Sequence, residues 1–303
     1  MFRATIALAA LAFSAMPAWA QNAAPDYTGV TITTTDLGHG TYMLQGQGGN
    51  ITIAVGGNGI IMVDGQFAPL HDKIKAAIAA VSLQPIRYLI NTHYHGDHTG
   101  GNAGFAADGV TVVAHQNVKK RLATGTVNGL TGMRTPPAND SALPDRTYAS
   151  SLTLTVKGLK AVVGHIKHAH TDGDSYVYFP AANVLATGDI VTVGGRYPNI
   201  DVANGGNIKG MIAGVDTYLN LATDKTKIVP GHGPQLTRAQ VAEYRKMLIA
   251  ARDRVAKMLK ANKGEDEVVA AKPLADIEKK IGANEAASAN FVRLIYRSLK
   301  VKT

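Results

Sequence analysis

A strand-like stretch at residues 86–91 runs almost directly into His93-Tyr94-His95-Gly96-Asp97-His98. That junction constrains the chain more than any other. Four side chains able to hold a cation fall within six residues, just where a strand leaves the interior, so the fold has to gather them at a strand end. His93 and His95 stand two apart, and extended backbone would send both imidazoles from the same face. Asp97 and His98 follow where the chain must turn. Gly96 and the run Thr99-Gly100-Gly101-Asn102 let the loop fold tightly and then open a helix.

Imidazole nitrogens and carboxylate oxygens suit zinc, and iron or manganese accept the same donors. The chain has no cysteine, which excludes disulfides and thiolate ligands and favours an open, catalytic site over a closed structural one. The bland alternative, a hydrogen-bonded surface histidine cluster, fits poorly with so dense a run.

Around this junction the chain alternates short elements. Strands are expected at residues 30–34 and 59–63, a helix near 71–80, the strand at 86–91, a strand at 111–114 and a short helix at 118–122. The Gly- and Pro-rich stretch 125–145 reads as a mobile loop. Further strands follow near 152–156, 161–166, 175–179 and 183–186, then a helix at 208–221, a strand at 227–229, and helices near 237–262, 274–281 and 286–299. Two halves of similar style suggest a four-layered sandwich. No linker separates the last helices, so residues 21–303, including the helices from about 237, read as one domain.

The first twenty residues have Arg3, an apolar run and the ending Ala18-Trp19-Ala20, the pattern of a secretory signal cleaved after Ala20. Beyond it no apolar run approaches the roughly 20 residues of a membrane span, so a periplasmic or secreted protein without a permanent anchor is expected. The formal charge of +9, or +8 once Arg3 is removed, comes from scattered residues without a nucleic-acid motif. No nucleic-acid partner is expected. Weak attraction to anionic surfaces or substrates remains.

The run His93-Tyr94-His95-Gly96-Asp97-His98 resembles the hallmark motif of the metallo-β-lactamase superfamily, and its other markers follow in order. They are Asp64 in Ile61-Met62-Val63-Asp64-Gly65, His170 in Ala169-His170-Thr171-Asp172-Gly173, Asp189 in Thr187-Gly188-Asp189 and His232 in Gly231-His232-Gly233. The resemblance covers roughly residues 31–234 and implies an α/β fold, a four-layered αβ/βα sandwich, here with additional C-terminal helices. It implies two metal ions: one on His93, His95 and His170, the other on Asp97, His98 and His232, with Asp189 bridging and Asp64 behind the ligands. Asp97 and Asp189 are then the carboxylates that serve the chemistry, in which a metal-bridging hydroxide attacks an ester, thioester, lactone or β-lactam carbonyl. The aspartate at 189 is similar to glyoxalase II and lactonases, whereas familiar lactamase subclasses have a cysteine or no bridging carboxylate.

Two other classes are open at this stage. Some members of the superfamily are iron-dependent oxidoreductases, and the run His170-Thr171-Asp172-Gly173-Asp174 resembles a branch tied to quinoprotein systems, where a non-catalytic periplasmic metal-binding accessory protein would fit. Arg196 and Tyr197, in Gly194-Gly195-Arg196-Tyr197-Pro198, are candidates for holding an anionic small-molecule substrate, because a guanidinium pairs with carboxylates. His165 and His168 lie close to His170 without a clear role, while His39, His71 and His115 read as structural or exposed. The signal reading predicts that exported protein begins at Gln21; N-terminal sequencing checks it, and active exported protein that retains residues 1–20 would contradict it.

Overall fold

The described part of the chain opens as an antiparallel meander. In the computed structural model, which describes residues 25–301, β1 (Thr33–Gly38), β2 (Thr41–Gln45), β3 (Ile51–Gly56) and β4 (Gly59–Val63) pair in chain order. Helix α1 (His71–Ala79) then carries the chain back, so that β5 (Ile86–Ile90) lies parallel to β4. Two short helices, α2 (Gly96–Thr99) and α3 (Asn102–Ala107), lead to β6 (Thr111–His115), parallel to β5. Helix α4 (Gln116–Thr124) and a small hairpin of β7 (Thr126–Val127) and β8 (Arg134–Thr135) precede β9 (Arg146–Tyr148). The seven-stranded sheet has the order β1-β2-β3-β4-β5-β6-β9.

The second sheet repeats the plan. Antiparallel β10 (Ser151–Val156), β11 (Leu159–His165), β12 (Ser175–Phe179) and β13 (Val184–Ala186) are followed by α5 (Ile208–Leu221) and β14 (Lys227–Val229), which lies parallel to β13. Helices α6 (Arg238–Lys260), α7 (Glu265–Ala270), α8 (Ala275–Ile281) and α9 (Glu285–Lys300) end the described chain.

The layers follow from the period of the strands. Every residue of β4 is buried because both of its faces are covered: Ile61 and Val63 join a core between the sheets with Val163, Val177 and Phe179, while Ile60 and Met62 meet Leu70, Ile74 and Phe105 on the helical side. On the far side, Ile190, Met211, Tyr218, Leu248 and Phe291 make a third core that draws α5, α6 and α9 onto the second sheet. The result is an αβ/βα sandwich with extra C-terminal helices. Burying both sheets on both faces leaves the strand ends as the place for polar side chains.

Several elements differ from expectation. The first strand starts at Thr33, and residues 125–145 hold the β7–β8 hairpin, where positive φ at Gly125 and Gly132 and the Asn128 side chain, which accepts from the Leu130 and Thr131 amides, shape the turn. Helix α7 was not expected; its three acidic residues hid a short apolar contact through Val268. The expected leader at residues 1–20 lies outside the described residues.

Candidate metal centre

The parallel pairs bring the chemistry together. β4 and β5 end side by side, so Asp64 falls next to Thr92 and His93, and β13 and β14 end side by side, so Asp189 falls next to His232. An isolated parallel bridge between Thr192 and His232 continues that second edge. Glycine is required at two contacts: a Cβ at Gly49 would collide with the His98 ring, and one at Gly231 with Oδ1 of Asp189.

Two donor clusters result: His93, His95, His170 and Asp189 form one, and Asp97, His98 and His232 the other. In the first, Nδ1 of His95 is 3.2 Å from Nε2 of His93 and 2.9 Å from Nε2 of His170. Imidazoles on one tetrahedral zinc, with bonds of roughly 2.0–2.1 Å, hold their nitrogens about 3.3 Å apart. In the second, Oδ2 of Asp97 is 3.1 Å from Nε2 of His232 and 3.6 Å from Nε2 of His98. Asp189 reaches both. Its Oδ1 is 3.2 Å from His98, and its Oδ2 is 3.5 Å from His232, 3.8 Å from His170 and 4.0 Å from His93.

The other nitrogen of most of these rings is already engaged. His98 donates from Nδ1 to Oδ2 of Asp64 at 2.8 Å, and His170 from Nδ1 to the Asn199 carbonyl at 2.8 Å. His95 donates from Nε2 to Asp201 at 3.1 Å. Thr92 donates its hydroxyl to Asp64 and so accepts from Nδ1 of His93 at 3.1 Å. Each engagement fixes a tautomer whose lone pair points into the cluster, as metal-binding histidines require. With the Nδ1 proton of His98 given to Asp64, Nε2 of His98 and Oδ1 of Asp189 are two buried acceptors 3.2 Å apart that have no other partner among the described residues. A buried orphan of this kind costs about 1–3 kcal/mol, and a divalent cation on these atoms would offset it. The residues therefore fit such a cation.

Charges in the site are set by these neighbours. Burial holds His170 down to about 4 and pushes His93 well below its ordinary value, so both stay neutral. Hydrogen bonds with Asp189 and Asp97 raise His232 to about 9. Burial opposes a charge on His98, but Asp189 and Asp64 override it and lift it well above its usual range. Burial likewise opposes the Asp189 carboxylate, and the surrounding imidazoles hold it far below the carboxylate range.

His168, two residues before His170, is exposed and turned away to the Gly205 carbonyl. His165 stacks flat on His115 at 3.7 Å; His71 lies between Asp72 and Asp108, and His39 is exposed. Arg196 and Tyr197 do not reach the groove beside the donors. Arg196 is exposed on a separate groove against α6 and α8, and Tyr197 stacks on Phe291 of α9 at 4.7 Å, because the loop after Val193 turns toward the C-terminal helices. Reading proximity in sequence as proximity in space misplaced both. Conversely, Asp201, Asn199 and Thr92 support the donors without any motif to mark them. Tyr94, inside the histidine run, donates its hydroxyl to Asp201.

Residues 44–257 match the metallo-beta-lactamase superfamily, and the chain belongs to it. It is 26% identical to a linear primary-alkylsulfatase of Pseudomonas sp. (strain ATCC 19151) over 62% of this chain and 42% of that protein. It is 31% identical to a hydroxyacylglutathione hydrolase of Polaromonas sp. (strain JS666 / ATCC BAA-500) over 54% of this chain and 55% of the relative. The chain thus spans about half the length, or less, of these relatives. In structure it is similar to a metallo-beta-lactamase from Pontibacter korlensis, with a TM-score of 0.58 and 19% identity over 72% of this chain and 99% of that one. It is also similar to the sec-alkylsulfatase Pisa1 from Pseudomonas sp., with a TM-score of 0.66 and 18% identity over 88% of this chain and 50% of the other. These likenesses show a shared fold.

Because Asp201 positions His95 and Asp64 positions His98, Asp201→Asn is predicted to weaken metal binding at the first cluster and Asp64→Asn at the second, each by about 10–100-fold. Titration of metal-free protein against a chromogenic chelator resolves the two binding steps. If either variant weakens both steps equally, the two carboxylates do not serve separate clusters.

Proposed function

We propose that the chain is an exported hydrolase with two zinc ions, acting on the carbonyl of a small ester, thioester, lactone or β-lactam. The observation that carries this reading is the seat of Asp189, whose Oδ1 lies 3.2 Å from His98 and whose Oδ2 lies 3.5 Å from His232 of the same cluster and 3.8 and 4.0 Å from His170 and His93 of the other. A structural zinc site would stop at one set of four donors, whereas here three further donors, Asp97, His98 and His232, stand beside His93, His95, His170 and Asp189. Bound cations at such a pair supply an acidified water and a Lewis acid for the carbonyl oxygen.

The chain's own residues prepare the site for that chemistry. Asp64, Asp201, Asn199 and Thr92 hold the imidazoles in position, so little reorganisation is needed when substrate arrives. Burial of His93, His98 and His170 keeps bulk water from the inner side, while Asp97 and His232 are partly exposed and face the entrance. The names of the relatives, an alkylsulfatase and a hydroxyacylglutathione hydrolase, favour cleavage of an ester-like bond. A carbonyl centre is preferred to a sulfate because the one Lys or Arg side chain lining the adjacent groove, Arg121, is spent on Asp172 at 2.7 Å. Iron in place of zinc would mark the oxidative branch, and metal analysis of protein purified without added metal separates the two. Export rests on the leader-like pattern of residues 1–20.

The test is turnover of a chromogenic lactam, a thioester and a lactone by metal-loaded protein, with and without chelator. Chelator-sensitive hydrolysis of at least one is expected. Asp189→Ala should lower that activity by on the order of a hundredfold or more, as when an electrostatic partner of the transition state is removed. It should also lower metal content, with circular dichroism unchanged. Two metals per chain and near-normal turnover in the variant would refute Asp189 as the shared ligand.

A further inference from the structure

Beside the donor clusters runs a groove of about 630 Å³ whose lining is mainly apolar. Phe67, Tyr94, Leu122 and Met133 contribute apolar or aromatic surface, and the Pro136-Pro137-Ala138 run forms another wall. His95 and Asp97 stand at its inner end, so the groove opens directly on the metal ligands. Its charged groups are already engaged. Arg121 makes a two-pronged pair with Asp172, through Nε at 3.3 Å and Nη2 at 2.7 Å, and a third bond to Asn204. Asp201 accepts from Tyr94, His95 and Asn204. Among the described residues, the groove therefore offers no uncommitted Lys or Arg side chain for a substrate carboxylate.

Met133 gives the second observation. It sits on the β7–β8 hairpin and is 66% exposed, one of few large apolar side chains left in water among the described residues. An exposed methionine on a groove wall is an adaptable apolar surface that a ligand can cover. The hairpin that carries it is fastened from outside: Arg297 of α9 donates to the Gly129 carbonyl at 2.9 Å, and Asn204 donates to the Val127 carbonyl at 3.1 Å. Arg297 is in turn paired with Glu265 at 2.7 Å, which ties the wall to the C-terminal helices.

We propose that this groove is a subsite for an uncharged apolar acyl chain, with Met133 and Leu122 as specificity-determining side chains. It rests on the hydrolase reading above and narrows its substrate to an ester or thioester whose acyl group carries several methylenes. Discrimination then comes from the area of chain covered in the groove rather than from ion pairing. Each buried methylene contributes about 0.8 kcal/mol, roughly fourfold in kcat/KM or Kd.

Two series of ligands test it on the full metal-loaded chain. The first is 4-nitrophenyl esters of linear acids from two to ten carbons, read as kcat/KM. The second is the primary amides of the same acids, used as slowly reacting probes and read as Kd by calorimetry. Both quantities should improve by roughly two- to fourfold per methylene until the groove is full, with a negative heat-capacity change of amide binding. Met133→Asp should flatten both slopes, and Met133→Leu should restore them; because the side chain is exposed, neither change removes core packing. Esters hydrolysed at a rate independent of chain length would overturn the subsite and leave the hydrolase intact. Amide affinity that rises with length and falls in Met133→Asp, without hydrolysis of any of these esters or of the lactam, thioester and lactone above, would keep the subsite and sink the hydrolase. A slope unchanged by Met133→Asp would overturn the role given to Met133.

Discussion

A buried carboxylate between two sets of imidazoles is the interaction on which the rest of this structure depends. Asp189 is surrounded by His93, His98, His170 and His232, and a negative charge there is tolerable only while positive charge faces it. Neighbouring carboxylates raise His98 and His232 above their ordinary range, and a divalent cation held by these donors would meet the same need. While His98 gives its Nδ1 proton to Asp64, its Nε2 and Oδ1 of Asp189 are two buried acceptors facing each other at 3.2 Å, an arrangement that a cation between them would satisfy.

Everything around that carboxylate serves its placement. The two sheets bury both faces, which leaves the ends of the parallel pairs β4–β5 and β13–β14 as the place where polar side chains meet without breaking a core. Small residues then allow close approach: Gly49 admits the His98 ring and Gly231 admits Asp189. Behind the donors, Asp64 and Asp201 do the same work at different rings, each accepting from the nitrogen that does not face the cluster. Asp64 is held in turn by the Thr92 amide and hydroxyl, and Asp201 by Tyr94 and Asn204, so the two supports are anchored independently.

How much of this was legible in the sequence depends on the range over which each signal acts. The apolar run of β4 and the β-rich composition of β5 are local signals, and the donors at 93, 95, 97 and 98 stand out by their density along the chain. The positions of Asp64, His170, Asp189 and His232 were legible through the resemblance to a family. Asp201 was not, because an aspartate in an irregular segment has no local mark; its meaning lies in contact with His95, more than a hundred positions away. Arg196 and Tyr197 misled for the opposite reason. They follow Asp189 closely along the chain, but the C-terminal helices supply Phe291 as a packing partner for Tyr197 and draw the loop away from the donors. The hairpin of β7 and β8 was hidden because a Gly- and Pro-rich stretch reads the same whether it moves or is fastened, and its fastening comes from Asn204 and Arg297.

The central claim, that one carboxylate joins two metal positions, is tested most directly by X-ray absorption at the zinc edge on metal-loaded protein. The account predicts two zinc ions per chain, a first shell of nitrogen and oxygen alone, and a metal–metal scattering path at about 3.5–4 Å. A single bound zinc, or two zinc ions with no scattering between them, would contradict it.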